Sequence, residues 1–376
     1  MKKLLILVLT FVLVLSVVGC TQKTENTENT EGTDGAVTEE STTLDIGIIL
    51  PTQNEERWTQ DKDRFLLAAA DTDYNVEILF SEGDSAVEAT NVDTLISKGV
   101  KVIIITAHDS KAAESAVQRA IDAGVKVIAY DRIVDLPGVS FYVTFDSIVV
   151  GNEQGQFLID NATGTDNELY LFSGGTWEGN APLFFRGAWE VLQPKIADGT
   201  FKVMNIPAHT DFIDKAVLTT EEALVMMKQA DTDWSPEATA TLAANHATTY
   251  PASGTKAFFI APNDFTSRAI NDAFTSAGVS EVIITGQDAD ILSVARVQEG
   301  TQSMTVLKDV RTLVANAFEV STLLLNDQEL PAATHFYGNS DVPAVPTPVV
   351  VVTPENVNKE IVESGYYTQE AIDDAK

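Results

Sequence analysis

Residues 99–132 read GVKVIIITAHDSKAAESAVQRAIDAGVKVIAYDR, and this stretch decides the fold. Two runs rich in valine and isoleucine, Val102–Thr106 and Val125–Tyr130, flank a segment from Ser110 to Ala123 whose apolar residues recur at helical spacing. Short β-branched runs alternating with amphipathic helices build strand–helix–strand units and a parallel sheet. Gly99 and Gly124 stand where the preceding helices must stop.

The same rhythm extends in both directions. The first set of strands comprises Asp45–Leu50, Val76–Phe80, Val102–Thr106, Val125–Tyr130 and Ser140–Thr144, with further helices at Arg57–Ala70 and Ser85–Ser97. A second set follows at Glu168–Phe172, Phe201–Ile206, Ala257–Ala261, Val282–Thr285 and Ser303–Val306. Two similar sets in tandem predict an α/β protein of two doubly wound parallel-sheet lobes. The body from Leu44 to Lys376, roughly 330 residues, exceeds what one core usually serves. Residues 210–251 fit neither set, beyond helical segments near Glu221–Gln229 and Pro236–Ala244.

The N-terminal region reads differently. Lys2 and Lys3 precede an uncharged apolar run, Leu4–Val18, which is too short and too one-sidedly flanked for an ordinary spanning helix and predicts a signal peptide over 1–19. Val17, Val18, Gly19 and Cys20 resemble the lipobox of bacterial lipoproteins, which implies acylation of Cys20 and an extracytoplasmic, membrane-anchored chain. Residues 20–43 are rich in Thr, Glu, Asn and Gly, so they read as a solvated acidic linker.

Composition excludes several classes of function. With 55 acidic residues against 24 basic and a formal net charge of −31, the chain would be repelled by nucleic acid and by anionic lipid surfaces. Cys20 is the single cysteine, so no disulfide framework is expected. Leu50, Pro51, Thr52 and Gln53 occupy the place where a dinucleotide-binding enzyme needs a glycine-rich turn. No nucleophile elbow or zinc-binding His-Glu-x-x-His is present, so neither an enzyme nor a cofactor is expected. Asp71, Asp73, Asn75 and Glu82 imitate part of a calcium loop, but Val76 takes its glycine position and no metal site is expected.

Open parallel sheets bind ligands beyond the carboxyl ends of their strands. In the first set those positions hold Thr52, Gln53, Asn54, Arg57 and Trp58, then His108 and Asp109, then Asp131 and Arg132. In the second they hold Gly174–Trp177 and Asn180, then Asn263 and Asp264, then Gln287, Asp288 and Asp290, with Lys308 after the last strand. Arg, Asp, Asn and Lys take paired hydrogen bonds from neighbouring hydroxyls, and an indole covers the C–H face of a sugar ring, so a neutral polyol suits the set. Plainer roles stay open: Asp109, Asp264 and Asp288 stand where helices begin and could be N-caps. Trp58 and Trp177 could belong to the core.

The stretches Glu56–Trp58 with Asp61 and Asp63, VIAYDR (Val127–Arg132), YVTFD (Tyr142–Asp146), GQDAD (Gly286–Asp290) and GTQSMTVLK (Gly300–Lys308) resemble the sugar-binding lipoproteins of bacterial ABC importers. The likeness, strongest to the branch containing D-xylose-binding and multiple-sugar-binding proteins, runs over Leu44–Tyr367. It implies the type I periplasmic binding protein fold, with lobes at 44–145 plus 307–338 and 146–306 plus 345–376 joined by a three-segment hinge. It also implies a monomer that captures a monosaccharide, xylose or a related aldose, and delivers it to the membrane subunits of an ABC importer. A membrane sensor or chemoreceptor is the alternative recipient. The sugar-contacting positions carry over to Arg57, Trp58, Asp131, Arg132, Asn180, Asp264, Asp288 and Lys308, with His108, Asp109, Trp177 and Phe212 as neighbours. The loop Gly174–Asn180, GGTWEGN, departs from the family pattern of a proline and paired asparagines.

Overall fold

The computed structural model describes residues 43–376. The signal segment, Cys20 and the linker up to residue 42 lie outside the described residues. The first half of the body runs β1 (Ile46–Leu50), α1 (Glu56–Ala70), β2 (Val76–Phe80), α2 (Ser85–Ser97), β3 (Val102–Ile105), α3 (Ser110–Asp122), β4 (Lys126–Tyr130) and β5 (Phe141–Val143). Local chemistry sets these boundaries. Asp109 caps α3 by accepting the backbone N–H groups of Lys111 and Ala112, both at 2.8 Å. Gly124 has φ +83°, a left-handed conformation that ends α3 cheaply only without a side chain. Along α3, Ala113, Ala116, Val117 and Ala120 are buried, at the spacing of one helical face.

The chain continues through α4 (Ser147–Asn161), β6 (Asn167–Leu171), α5 (Ala181–Ala197), β7 (Phe201–Val203), α6 (Thr220–Met227), α7 (Pro236–Thr249), β8 (Lys256–Ile260), α8 (Asp264–Ser276), β9 (Glu281–Ile284) and α9 (Ile291–Glu299). It ends with β10 (Thr305–Leu307), α10 (Val310–Leu325), β11 (His335–Tyr337), β12 (Val342–Ala344), β13 (Val350–Val352) and α11 (Gln369–Asp374).

The first sheet has seven strands in the order β11-β12-β5-β4-β3-β1-β2, and the second has four in the order β7-β6-β8-β9. Within β1–β5 and within β6–β9 every pairing is parallel, so both sheets reverse their winding beside their first strand. That reversal opens the crevice in which doubly wound proteins bind ligands. Apolar clusters cover both faces of each sheet, as parallel sheets require. Helices α4 and α5 approach so closely that a Cβ at Gly151 would lie 2.1 Å from the Phe184 carbonyl oxygen, and one at Gly187 would lie 2.2 Å from that of Ile148.

Two features differ from the sequence reading. The run expected as a fifth strand of the second sheet is β10, which pairs antiparallel with β13 and meets the second sheet's edge through a single Gln287–Val306 bridge. The chain turns at Asp288 and Ala289, with φ of 93° and 50°, so it cannot continue the parallel ladder. Val342–Ala344, which falls between the two expected lobe segments, joins the first sheet beside β5. The chain passes between the sheets three times, after β5, between β10 and α10, and between β12 and β13.

Candidate functional site

The loops after β1, β3 and β4 of the first sheet face those after β6, β8 and β9 of the second. Arg57, in the first turn of α1, is buried among carboxylates. Its Nε stands 2.6 Å from Asp61 Oδ2, its Nη2 donates to Asp131 Oδ2 at 2.9 Å, and its Nη1 is 3.6 Å from Asp288 Oδ1. Lys308, just past β10, places Nζ 2.8 Å from the same Asp288 oxygen. Burial works against charge on Arg57, yet Asp61 and Asp131 hold the guanidinium protonated more firmly than usual. Burial likewise opposes the Asp131 carboxylate, but Arg57, Lys308 and Arg132 together hold its pKa below the ordinary range.

Both cleft carboxylates occupy left-handed backbone, with φ 59° at Asp131 and 93° at Asp288. Side chains other than glycine rarely adopt such values unless the surroundings enforce them. At Asp131 the enforcement is visible: its carbonyl oxygen accepts from Tyr142 Oη at 2.6 Å, Asn180 Nδ2 at 2.9 Å and Thr144 Oγ1 at 3.1 Å. Asn180 belongs to the second-sheet side, so this bond also ties the two halves together.

Arg132 lies between two indoles, 5.1 Å from the Trp58 ring centroid and 5.7 Å from that of Trp177. Its Nη1 donates to the Ala107 carbonyl at 3.3 Å, and its Nε is 3.8 Å from Glu178 Oε1. Glu178 in turn accepts the N–H groups of Asn180 and Ala181 at 2.7 and 3.1 Å, capping α5 with a carboxylate. Burial pushes the Glu178 carboxyl up. His108 packs against Trp177 with centroids 4.8 Å apart, and burial, aided by Arg132, lowers its pKa.

Two connected spaces result. A deep pocket of about 30 Å³ is enclosed by Arg57, Trp58, Asp131, Arg132, Asn180 and Asp288, with Lys308 and others. It opens on a mouth of about 570 Å³ that includes His108, Trp177, Trp234 and Phe265.

Not every residue singled out by sequence reaches this cleft. Asp264 is buried behind it, where it accepts from Asp290 N and Thr305 Oγ1 with Oδ2, and from Gln302 Nε2 with Oδ1. Burial, with Asp290 and Asp288 nearby, pushes its carboxyl well above the usual range. The preceding residue, Asn263, lines both spaces instead. Asp109 is the α3 cap and lines neither space. Phe212 sits in the 3₁₀ turn Pro207–Phe212 and packs against the core of the second sheet. The aromatic residue that does line both spaces from the 210–251 segment is Trp234. It packs so tightly over Gly174 that a Cβ there would lie 2.0 Å from the indole. Glu55 and Phe184 also line the deep pocket without having been marked by sequence. Glu55, the residue just before α1 and two positions ahead of Arg57, carries no pattern of its own, and Phe184 reads as an ordinary core residue of α5.

Comparison with known proteins finds a match to the periplasmic binding protein domain over residues 46–329. The D-xylose-binding periplasmic protein of Haemophilus influenzae is 29% identical over 334 residues, covering 88% of this chain and 93% of that protein. The multiple sugar-binding periplasmic protein of Azospirillum brasilense is 29% identical, covering 86% of this chain and 90% of the relative. Among solved structures, a carbohydrate transporter solute-binding protein from Chloroflexus aurantiacus in complex with D-glucose superposes with a TM-score of 0.84. It is 48% identical and covers 87% of this chain and 98% of that one.

Proposed function

This chain belongs to the periplasmic binding protein domain family, with its type I fold, and we propose that it captures a monosaccharide between its two sheets and hands it to an ABC importer. It is a substrate-binding protein, not an enzyme. The lobes of this clamp are 44–145 with 307–338, extended by 342–344, and 146–306 with 345–376. The three chain passages between them form the hinge.

The observation that carries the reading is the Arg57 cluster, in which groups from both sides of the cleft converge on one buried point. Charged and amide groups fixed around a small enclosed volume suit a ligand that offers hydroxyls in every direction. The deep pocket, about 30 Å³ in this conformation, is too small for a sugar ring, so a sugar enters while the lobes are apart and holds the deep end wider than it stands here. Closure then lets Arg57, Asp131, Asn180, Asp288 and Lys308 bond its hydroxyls, with Trp58 and Trp234 against the ring faces. A missing or inverted hydroxyl leaves a buried group unpaired, at about 1–3 kcal/mol each, and this sets selectivity. The relatives that bind xylose and glucose favour an aldose as ligand. Acylation of Cys20 would hold the chain at the outer membrane face from which an importer is fed.

A thermal unfolding screen against xylose, arabinose, ribose, glucose, galactose and fucose tests the reading. A sugar at about 100 times its dissociation constant adds about 2.7 kcal/mol and raises the melting temperature by several degrees. No response to any aldose, with a response to nucleosides or amino acids, would overturn it.

A further inference from the structure

We infer that the mouth of the cleft is a subsite for a second, neutral sugar ring, so that the protein takes a disaccharide as well as a single aldose. The inference rests on the proposed sugar reading of the deep pocket. Space is the first argument. The mouth measures about 570 Å³, within the range of small-molecule sites, and shares Glu55, Arg57, Trp234, Asn263 and Asp288 with the deep pocket. A substituent on the inner ring that points outward therefore enters the mouth directly.

The second argument is conformational. The two sides already touch at the deep end, through Arg57 with Asp288 and through Asn180 Nδ2 donating to the Asp131 carbonyl at 2.9 Å. The mouth keeps about 570 Å³ in that same conformation, so an inner ring that takes part of it still leaves space for an outer one.

The third argument is chemical. The Trp177 indole is fixed in the rim because its Nε1–H donates to Asp233 Oδ1 at 2.7 Å. Asn54, in the loop after β1, and Glu237, in the first turn of α7, line the mouth from opposite sides. Neither side chain makes a hydrogen bond among the described residues, which leaves an amide and a carboxylate to meet hydroxyls. Seven carboxylates, among them Glu56, Glu82, Asp233 and Glu237, outnumber Arg57 and Arg268 in the lining of the mouth, a field that disfavours phosphorylated sugars and uronic acids.

Calorimetric titration of the full-length protein with glucose, xylose, cellobiose, xylobiose, maltose and melibiose tests this. At least one disaccharide should bind within about tenfold of the best monosaccharide. Asn54→Ala and Glu237→Ala should each weaken the disaccharide at least about fivefold while leaving the monosaccharide within about twofold. Binding of a monosaccharide with no disaccharide bound at concentrations about 100 times higher would overturn the subsite and leave the sugar reading intact. Equal weakening of both ligands by the two variants would also overturn it. If no sugar of either kind bound, the sugar reading would fail, and the subsite with it.

Discussion

Arg57 Nη1 and Asp288 Oδ1 stand 3.6 Å apart across the cleft, the one from the helix after β1 and the other from the loop after β9. Asp131 holds the same guanidinium from the first-sheet side at 2.9 Å. The cluster thus joins the two sides of the cleft at the groups proposed to read the ligand. Arg57→Ala and Asp288→Ala are each expected to weaken aldose binding at least about tenfold, equivalent to about 1.4 kcal/mol or more. Calorimetry on the purified variants measures the change, and circular dichroism checks that both stay folded.

The depressed pKa of Asp131 makes this cluster sensitive to acid. A carboxylate held below its unfolded value contributes stability that is present above about pH 4 and is lost as the pH falls through the folded pKa. Urea unfolding from pH 6 down to about 3 should show this loss in the wild type. Asp131→Asn, less stable near neutrality because Arg57 loses a partner, should show a shallower fall over that acid range.

Glu88 makes the opposite prediction. It is buried behind His108, whose backbone N–H donates to Glu88 Oε2 at 2.8 Å, and burial pushes its carboxyl up from 4.5 to about 7. A raised carboxyl contributes stability that is full below pH 4.5 and is lost as the pH rises through about 7. Relative to Glu88→Gln, the wild type should therefore lose stability between about pH 5 and 8, by an amount on the order of 2–3 kcal/mol. Urea midpoints across that range give the difference, and parallel pH profiles for the two proteins would contradict it.

Trp234 and Phe212 form a paired test of the aromatic wall. Trp234 lines both spaces, whereas Phe212 packs against the second core. Trp234→Ala should weaken sugar binding at least about tenfold, and Phe212→Ala should leave it within about twofold while lowering stability by about 1–3 kcal/mol.

Asp264 separates support from contact. Asp264→Ala strips acceptors from Asp290 N, Gln302 Nε2 and Thr305 Oγ1, so it should cost about 2–4 kcal/mol of stability. A shift in the urea midpoint with an unchanged slope would register that cost.

Much of this was legible in the residues. The alternation from Asp45 to Tyr130 yielded β1 to β4 and their helices, because buried parallel strands and amphipathic helices have distinct periods. The strand-end rule placed Arg57, Trp58, Asp131, Arg132, Asn263, Gln287 and Asp288 at the deep pocket. Family likeness selected Asp264, which lies buried behind the pocket, whereas its neighbour Asn263 lines it. Neighbouring residues at a helix start point in different directions, and only the three-dimensional turn decides which one faces the ligand. Trp234 was unreadable for a related reason. It follows Asp233 in a pair of left-handed residues, φ 55° and 49°, within a segment whose hydrophobic pattern follows neither helix nor strand.

Calorimetric titration of the full chain with D-xylose and D-glucose, wild type beside Asp288→Ala, tests the central claim most directly. The account predicts saturable binding of one aldose per chain, micromolar or tighter (about −8 kcal/mol), and at least about a tenfold loss in the variant. No heat of binding from either sugar, or equal affinity in both proteins, would contradict it.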